Sequence, residues 1–172
     1  MKALVVVDYQ IDFVNGALGF AGAELLDPLI VAKIEQCRKD GGKVIFTFDT
    51  HTEDYLNTAE GRKLPVPHCI KGTEGHGLYG EVAKCIRPED TVIEKPSFGS
   101  LELITVLQNG NFDEVELCGL VTDICVVSNA VLAKAALPEA RVVVDGNACA
   151  SFDKDKHNAA LEVMKSVQVD VV

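Results

Sequence analysis

The apolar residues of this chain fall into short continuous runs that alternate with longer stretches of helical spacing. The run at residues 4–7 is rich in β-branched side chains, which is typical of a strand buried on both faces. At residues 25–37, apolar side chains recur on one helical face until Gly41 and Gly42 end the helix. The alternation predicts further strands at 44–48, 91–94, 114–118, 141–144 and 168–171, and further helices at 101–107, 123–136 and 153–167.

Strands that alternate with helices along the whole chain predict an α/β fold. We expect three layers in one domain over residues 1–172, with a mostly parallel six-stranded sheet between helices on both faces. Residues 50–79 are the exception, because they are rich in Gly, Pro, His and charge and have little helical period. A loop of this length in a compact domain is usually functional or disordered.

The composition of the chain narrows its function classes. Of the 172 residues, 48% are hydrophobic and 24% are charged, which suits one buried core. A net charge of −10 without a basic run argues against binding to nucleic acid or to an anionic membrane. No apolar run approaches the ~20 residues of a membrane span, and residues 1–10 predict a strand rather than a signal peptide. We expect a cytoplasmic protein, and homo-oligomerisation through a sheet edge or helix face stays open.

The six cysteines are widely spaced and form no CxxC motif. This spacing, together with the lack of a predicted export signal, favours reduced thiols over a disulfide framework. A structural zinc site of the finger type has no support either, since such sites usually pair cysteines in that motif. We therefore predict free cysteines in a reducing compartment.

Chemically useful side chains follow four predicted strands where each strand ends. Asp8 follows the first strand, Asp49 and His51 follow the second, Lys95 follows the third, and Cys125 lies shortly after the fourth. Ligands of open parallel sheets bind outside the carboxyl ends of the strands. The topology is therefore expected to bring these side chains to one edge of the sheet.

Cys125 lies in the first turn of a predicted helix, where free N–H groups and the helix dipole favour a thiolate or an oxyanion. Lys95 would lower the pKa of the thiol, whereas an ionised Asp8 would raise it. The three groups predict a poised thiol whose proton passes to Asp8 when a substrate arrives. The alternative is a cysteine that only packs, since free Cys is among the most buried residue types.

Asp49 and His51 are two residues apart in an extended segment, so their side chains point the same way and can share one ion. His68, in a Pro-rich loop, is a third candidate ligand, and Glu60 lies between them along the chain. Two imidazoles and a carboxylate suit a divalent ion, for which we expect Zn, with Fe or Mn as alternatives. Spacing alone leaves open that both histidines are ordinary polar loop residues.

Five motifs occur in order along nearly the whole chain: DYQIDF, DTH, PHC followed by GTEG, EKPSFGS and CGLVTDICV. In combination they resemble the isochorismatase-like cysteine hydrolases, and among these the nicotinamidases. The resemblance implies an isochorismatase-like hydrolase fold and an Asp-Lys-Cys triad that cleaves a small amide through a thioester acyl-enzyme. Matched by position, Asp8 would be the general base, Lys95 its charged partner and Cys125 the nucleophile.

The resemblance also implies an oxyanion hole of backbone N–H groups beside a cis peptide bond. Here the donors would be Val121 and Cys125, and Val121–Thr122 would be the cis bond. The pocket cannot contain tryptophan, because the chain has none. The side chains expected to contact the substrate are Phe13, Leu18, Tyr55 and Val121.

The D-x-H motif and the later PHC histidine distinguish nicotinamidases from related amide hydrolases. By this resemblance, Asp49, His51 and His68, with Glu60 as a fourth ligand, would bind one divalent metal ion. We therefore predict a metal-dependent amidohydrolase that converts nicotinamide to nicotinate and ammonia, with pyrazinamide as a side substrate. The alternatives are another small-amide or carbamoyl hydrolase, in which Asp49 and His51 are structural, and a catalytically silent binding module.

Overall fold

The computed structural model describes residues 1–172, and one six-stranded sheet runs through them. All neighbouring strands are parallel, and their spatial order is β3-β2-β1-β4-β5-β6. This confirms the predicted parallel sheet. In chain order the strands are β1 (Lys2–Val7), β2 (Lys43–Asp49), β3 (Thr91–Lys95), β4 (Glu114–Leu120), β5 (Arg141–Ala150) and β6 (Asp170–Val171).

Six α-helices cover the two faces of the sheet, which confirms the three-layer α/β architecture. They are α1 (Ile11–Val14), α2 (Asp27–Lys39), α3 (Val82–Cys85), α4 (Leu101–Asn109), α5 (Val127–Ala136) and α6 (Lys154–Ser166). The first three helices pack on one face, and the last three pack on the other. None of these helices combines the length and apolar character that crossing a membrane requires.

The central strand β1 shows why the buried runs are apolar at every position. Val5 and Val7 belong to the core beneath α4 and α5, whereas Leu4 and Val6 belong to the core beneath α2. Successive side chains of a strand point to opposite faces, so a strand covered on both sides has no solvent-facing position. All four side chains are accordingly excluded from water.

Two elements differ from their predicted bounds by more than two residues at one end. β5 continues to Ala150 rather than ending at residue 144, and its register against β4 shifts between Leu117 and Gly119. The helix predicted at 123–136 begins with a π-helical turn, Thr122–Val126, before α5 starts. Helical spacing of apolar residues does not distinguish this wider turn from the α-helix that follows it.

The long loop over residues 50–79 contains only short 3-10 turns, at Tyr55–Asn57 and Glu74–His76. This agrees with its lack of predicted period. The loop lies at the carboxyl ends of β2 and β3, where Thr50 N–H donates to the carbonyl of Lys95. From β1 the chain adds β2 and β3 on one side, and from β4 it adds β5 and β6 on the other side, with α2 and α5 on opposite faces of the sheet. The strand order therefore reverses between β1 and β4, which places a crevice at the carboxyl ends of these strands.

Candidate active site

Asp8, Lys95 and Cys125 meet at the carboxyl ends of β1, β3 and β4. The Lys95 Nζ atom lies 2.6 Å from Asp8 Oδ2 and 3.6 Å from Cys125 Sγ. It also donates a hydrogen bond to the carbonyl of Ser97 at 3.0 Å. All three predicted triad residues are buried. The topology thus joins an acid, a cation and a thiol that are far apart in sequence.

Asp8 is held in a defined orientation directly after β1. Its backbone lies in the left-handed region, with φ of 45°, which is uncommon for a residue other than glycine. The hydroxyl of Thr47 donates to Asp8 Oδ1 at 2.6 Å, and Oδ2 faces Lys95. Lys95 Nζ contacts both Asp8 Oδ2 and Cys125 Sγ, so the carboxyl group and the thiol lie on either side of one ammonium group. This carboxyl group is therefore placed to exchange a proton with the sulfur.

Burial controls the protonation of this cluster. It raises the pKa of the Cys125 thiol well above its usual value, and Asp8 adds to the rise although Lys95 opposes it. Burial also raises the pKa of Asp8, again against the effect of Lys95. Burial disfavours the charge on Lys95, but Asp8 above all raises its pKa, so the ammonium is retained. The resting thiol therefore keeps its proton and has an acceptor beside it.

Gly119 allows the ends of β1 and β4 to approach closely. Its φ is 117°, and a Cβ at this position would lie 2.1 Å from the carbonyl oxygen of Val7. No L side chain fits such a space. The contact brings Asp8, which follows Val7, near the turn that carries Cys125.

The turn between β4 and Cys125 contains a cis peptide bond, which joins Leu120 and Val121. The expected cis bond at Val121–Thr122 is therefore wrong by one residue, because β4 ends at Leu120 and the chain turns there. The carbonyl of Val121 then accepts hydrogen bonds from the N–H groups of Ile124 and Val126. The bond to Val126 spans five residues and makes this turn π-helical.

Asn129, which the sequence reasoning missed, anchors the turn that bears the nucleophile. Its side chain is fully buried and donates to the carbonyls of Cys125 at 2.8 Å and Phe98 at 3.0 Å. Its Oδ1 accepts a hydrogen bond from Ser100 N–H at 3.0 Å. The amide thereby ties the Cys125 turn to the loop after β3. The signal that could have found it is a lone Asn in the apolar stretch of α5.

Asp49, His51, Glu60 and His68 form a second cluster, in which the ligand atoms all lie within 4.8 Å of one another. Asp49 Oδ2 lies 3.0 Å from His51 Nε2 and 3.3 Å from His68 Nε2. Glu60 Oε1 lies 3.7 Å from each of these nitrogens. The structure therefore brings all four predicted ligands together, including Glu60 from the middle of the long loop.

The donor set of this cluster fits a divalent metal ion. His68 Nδ1 lies 2.8 Å from the carbonyl of Val66, and a proton donated there leaves Nε2 free as a ligand. Burial, and then the charge of Asp49, raise the pKa of Glu60, so the two carboxylates are destabilised when they face each other without a cation. Two imidazoles and two carboxylates are ligands that Zn, Fe and Mn share.

Two polar residues at the start of α1, the buried Gln10 and the half-buried Asp12, hold this cluster in place. Gln10 accepts a hydrogen bond from Asp49 N–H at 2.8 Å and donates to the Asp49 carbonyl at 2.9 Å. Its amide also donates to the carbonyl of His76 at 2.8 Å. Asp12 Oδ2 accepts a hydrogen bond from Cys69 N–H at 2.7 Å, next to His68. Both side chains connect α1 to segments that carry metal-ligand candidates.

A cavity of about 90 Å³ connects the two clusters. Cys125 lines it together with three of the candidate ligands, Asp49, Glu60 and His68. The remaining lining side chains are apolar: Phe13, Leu18, Leu64, Phe98, Val121, Ile124 and Phe152. The predicted positions Phe13, Leu18 and Val121 are among them. Leu64, Phe98, Ile124 and Phe152 are additional, and Phe152 lies in a distant segment that no local pattern connects to the site.

Tyr55, which was expected to contact the substrate, does not line the cavity. Its ring packs behind the two histidines, with centroid distances of 4.7 Å to His51 and 5.0 Å to His68. Its hydroxyl donates to the carbonyl of Leu64 at 2.9 Å. The 3-10 turn at Tyr55–Asn57 directs this side chain into the protein, so it supports the histidines instead.

Comparison with known proteins identifies the family and agrees with the fold. A family model described as the Isochorismatase domain matches residues 2–172. The isochorismatase family protein PncA of Bacillus subtilis (strain 168) is 35% identical over 172 residues, which cover 93% of this chain and 92% of the relative. The crystal structure of nicotinamidase/pyrazinamidase PncA from Bacillus subtilis superposes with a TM-score of 0.89 at 33% identity, covering 99% of this chain and 98% of that one. Pyrazinamidase of Pyrococcus horikoshii in complex with zinc gives a TM-score of 0.86 at 25% identity, with coverage of 99% and 98%.

Proposed function

This chain is an amidohydrolase of the isochorismatase family, and we propose that it hydrolyses nicotinamide to nicotinate and ammonia. The observation that carries the proposal is that one small cavity is lined both by the thiol of Cys125 and by the cluster of candidate metal ligands. A pyridine carboxamide has one group for each of these, because its ring nitrogen can bind a metal ion and its amide carbon can be attacked by the thiol. Pyrazinamide shares both and would be a side substrate.

The cavity would orient the ring of the substrate. A divalent ion held by Asp49, His51, His68 and Glu60 would supply a Lewis acid for the pyridine nitrogen. Phe13 is placed to pack on the ring, since it lines the cavity and its own ring lies 5.5 Å from that of His68. The mostly apolar wall suits a neutral ligand, which needs no basic surface for steering on a chain of net charge −10.

In the first half of the proposed reaction, Cys125 Sγ attacks the carbonyl carbon of the amide as its proton passes to Asp8. The carbonyl π electrons move onto oxygen, where the backbone N–H groups of Val121 and Cys125 would hold the negative charge. The tetrahedral intermediate then collapses. The C–N bond breaks, Asp8 returns the proton to the leaving nitrogen, and ammonia departs from a thioester.

In the second half, Asp8 takes a proton from water, and the hydroxide oxygen attacks the thioester carbon. Collapse of the intermediate breaks the C–S bond, and the Cys125 sulfur regains a proton from Asp8. The resting thiol returns, and the nicotinic acid product loses its proton to solvent and leaves as nicotinate. Throughout both halves Lys95 keeps Asp8 oriented through their 2.6 Å contact and stabilises its negative charge.

The proposal includes a cytoplasmic location, because a nucleophilic thiol acts only while it is reduced. The free state of all six cysteines supports this. Besides the bound metal ion, the proposed reaction requires only nicotinamide and water.

Ammonia release from nicotinamide tests the proposed function, with the metal content measured on the same sample. We expect turnover that depends on bound metal and is abolished by Cys125→Ala, while Cys85→Ala, which alters a cysteine outside the cavity, leaves it unchanged. Metal-loaded wild type that leaves nicotinamide intact but cleaves an N-carbamoyl amino acid would assign the protein to another amide hydrolase of the family. Wild type that cleaves neither would favour a binding module.

A further inference from the structure

We propose that His157 is a positioning residue for the oxyanion hole and acts through Thr122; this inference rests on the proposed function. His157 Nδ1 lies 2.8 Å from the hydroxyl oxygen of Thr122. Thr122 is fully buried and directly follows Val121, one of the two proposed oxyanion donors. Neither His157 nor Thr122 lines the cavity, so the imidazole would influence the reaction only through the backbone that it holds.

The position of His157 is well defined by the start of α6. Asp153 caps this helix, because its carboxylate accepts hydrogen bonds from the N–H groups of Asp155 and Lys156. The N–H of His157 donates to the carbonyl of Asp153 at 2.9 Å and so belongs to the first helical turn. The half-buried imidazole therefore approaches Thr122 from an element that is separate from β4 and α5.

Different side chains hold the two halves of the turn that bears the nucleophile. Its second half is anchored from within its own helix, since Ser128 donates to the carbonyl of Ile124 and Asn129 donates to the carbonyl of Cys125. The first half has one side-chain hydrogen bond, which is the contact between Thr122 and His157. This contact thus fixes the first half of the turn, next to the Val121 N–H, whereas Cys125 is anchored in the second half.

Burial makes the contact energetically significant. A buried hydroxyl group without a hydrogen-bond partner is unfavourable, and the imidazole is the only partner that Thr122 has for its side chain. Without the imidazole, the Thr122 hydroxyl would be buried and unpaired. Rotation of the turn that lets this hydroxyl reach another acceptor would then lower the free energy. A displaced turn would point the Val121 N–H away from the developing oxyanion, which lowers turnover and leaves the binding of the ring unchanged.

Four variants test this inference. His157→Leu removes the ring nitrogen, and Thr122→Val removes the hydroxyl at nearly constant shape. His157→Asn is the matched control, because the asparagine amide can occupy the place of Nδ1 and bond the same hydroxyl. The double variant His157→Leu with Thr122→Val reports whether both residues act through one contact. For each variant kcat, KM and the thermal midpoint are measured with nicotinamide and metal-loaded protein.

We expect His157→Leu and Thr122→Val each to lower kcat about tenfold or more, since loss of a whole oxyanion donor costs about 10²–10³. KM should change less than about twofold, because the ring contacts are untouched. The double variant should be no slower than the slower single variant, and His157→Asn should recover most of kcat. The inference is overturned if the losses multiply, if KM carries the effect, if His157→Asn is as slow as His157→Leu, or if kcat is unchanged.

Failure of the proposed function is recognised separately. If wild type does not hydrolyse nicotinamide, the same variants are compared by the rate at which p-nitrophenyl acetate acylates Cys125, monitored by release of p-nitrophenolate. Attack of the sulfur on this ester carbonyl forms an oxyanion, so the rate reports the backbone N–H donors around it. A slower rate in His157→Leu that His157→Asn restores supports the positioning role, and equal rates in all variants overturn it.

Discussion

Lys95 Nζ lies 2.6 Å from Asp8 Oδ2, and neither side chain is more than 1% exposed. Loss of one partner of a buried ion pair leaves a charge without compensation, whereas replacement of both partners is tolerated far better. We therefore expect Lys95→Met to lower the free energy of unfolding by about 3–5 kcal/mol. Adding Asp8→Asn should restore much of that loss. Urea denaturation of both variants measures the difference, and a double variant as unstable as the single one would contradict the prediction.

Glu60 is the predicted ligand whose role can be isolated most cleanly. Glu60→Ala should weaken binding of Zn²⁺ by about tenfold or more, since it removes a carboxylate from the donor set. Competition with a chromophoric chelator measures the affinity without reference to activity. Glu53→Ala is the control, because Glu53 is an exposed acid in the same loop. Equal zinc affinities for the two variants would remove Glu60 from the site.

A partly buried ion network whose residues do not line the cavity should make stability depend on pH. Glu116 lies 2.5 Å from Lys2 and 2.6 Å from Lys33, and Asp145 lies 2.6 Å from Lys33. Burial disfavours the charged carboxyls, but the lysines hold the pKa of Glu116 and the pKa of Asp145 below their usual values. The unfolded chain therefore binds more protons than the native protein in the acidic range, so acid favours unfolding.

We therefore expect the ion network to stabilise the native protein fully above the unfolded pKa values, which are about 3.9 for Asp and 4.3 for Glu. The free energy of unfolding should fall as the pH drops below them toward the lowered native values. Glu116→Gln should flatten this dependence, whereas Glu102→Gln, at an exposed position on α4, should not. Urea denaturation between about pH 3 and pH 7 gives both slopes. Parallel curves for wild type and Glu116→Gln would refute the assignment.

Gly119 and Gly22 provide a matched test of close strand approach. Both have positive φ, but a Cβ at Gly22 meets nothing within 4 Å, whereas at Gly119 it would lie 2.1 Å from Val7 O. Gly22→Ala should cost about 1–2 kcal/mol from its backbone conformation alone. Gly119→Ala must also separate β1 from β4, so it should unfold at a clearly lower temperature and lose ammonia release. Thermal denaturation of both variants checks this, and equal midpoints would be the contrary result.

Much of the sheet and of the triad could be predicted because their causes are local. A β-branched run such as residues 4–7 defines a buried strand, and parallel topology then assigns the residues that follow each strand to one edge. Asp8, Lys95 and Asp49 were accessible in this way. Glu60 was a candidate because it lies between His51 and His68 along the chain, and the family resemblance then gave it as the fourth ligand. Nothing periodic in residues 50–79 indicates which side chains face inward.

The remaining features depend on contacts between distant segments or on backbone geometry. Phe152 lines the cavity from the segment after β5, and no spacing in the sequence links it to Cys125. Tyr55 was misplaced because the 3-10 turn that directs it inward has no apolar period. The π-helical turn and the cis bond at Leu120–Val121 likewise have no pattern of their own. Such details follow from packing rather than from residue type.

The shared anchor at Asn129 has a consequence for how this protein could acquire new substrates. One amide bonds the carbonyls of both Phe98, whose side chain forms part of the cavity wall, and Cys125, which bears the nucleophile. A mutation that widens the wall by moving the Phe98 backbone would therefore also disturb the sulfur. Divergence of substrate range is then easier through wall residues on separate segments, such as Leu18 and Phe152, which can change while reactivity is preserved.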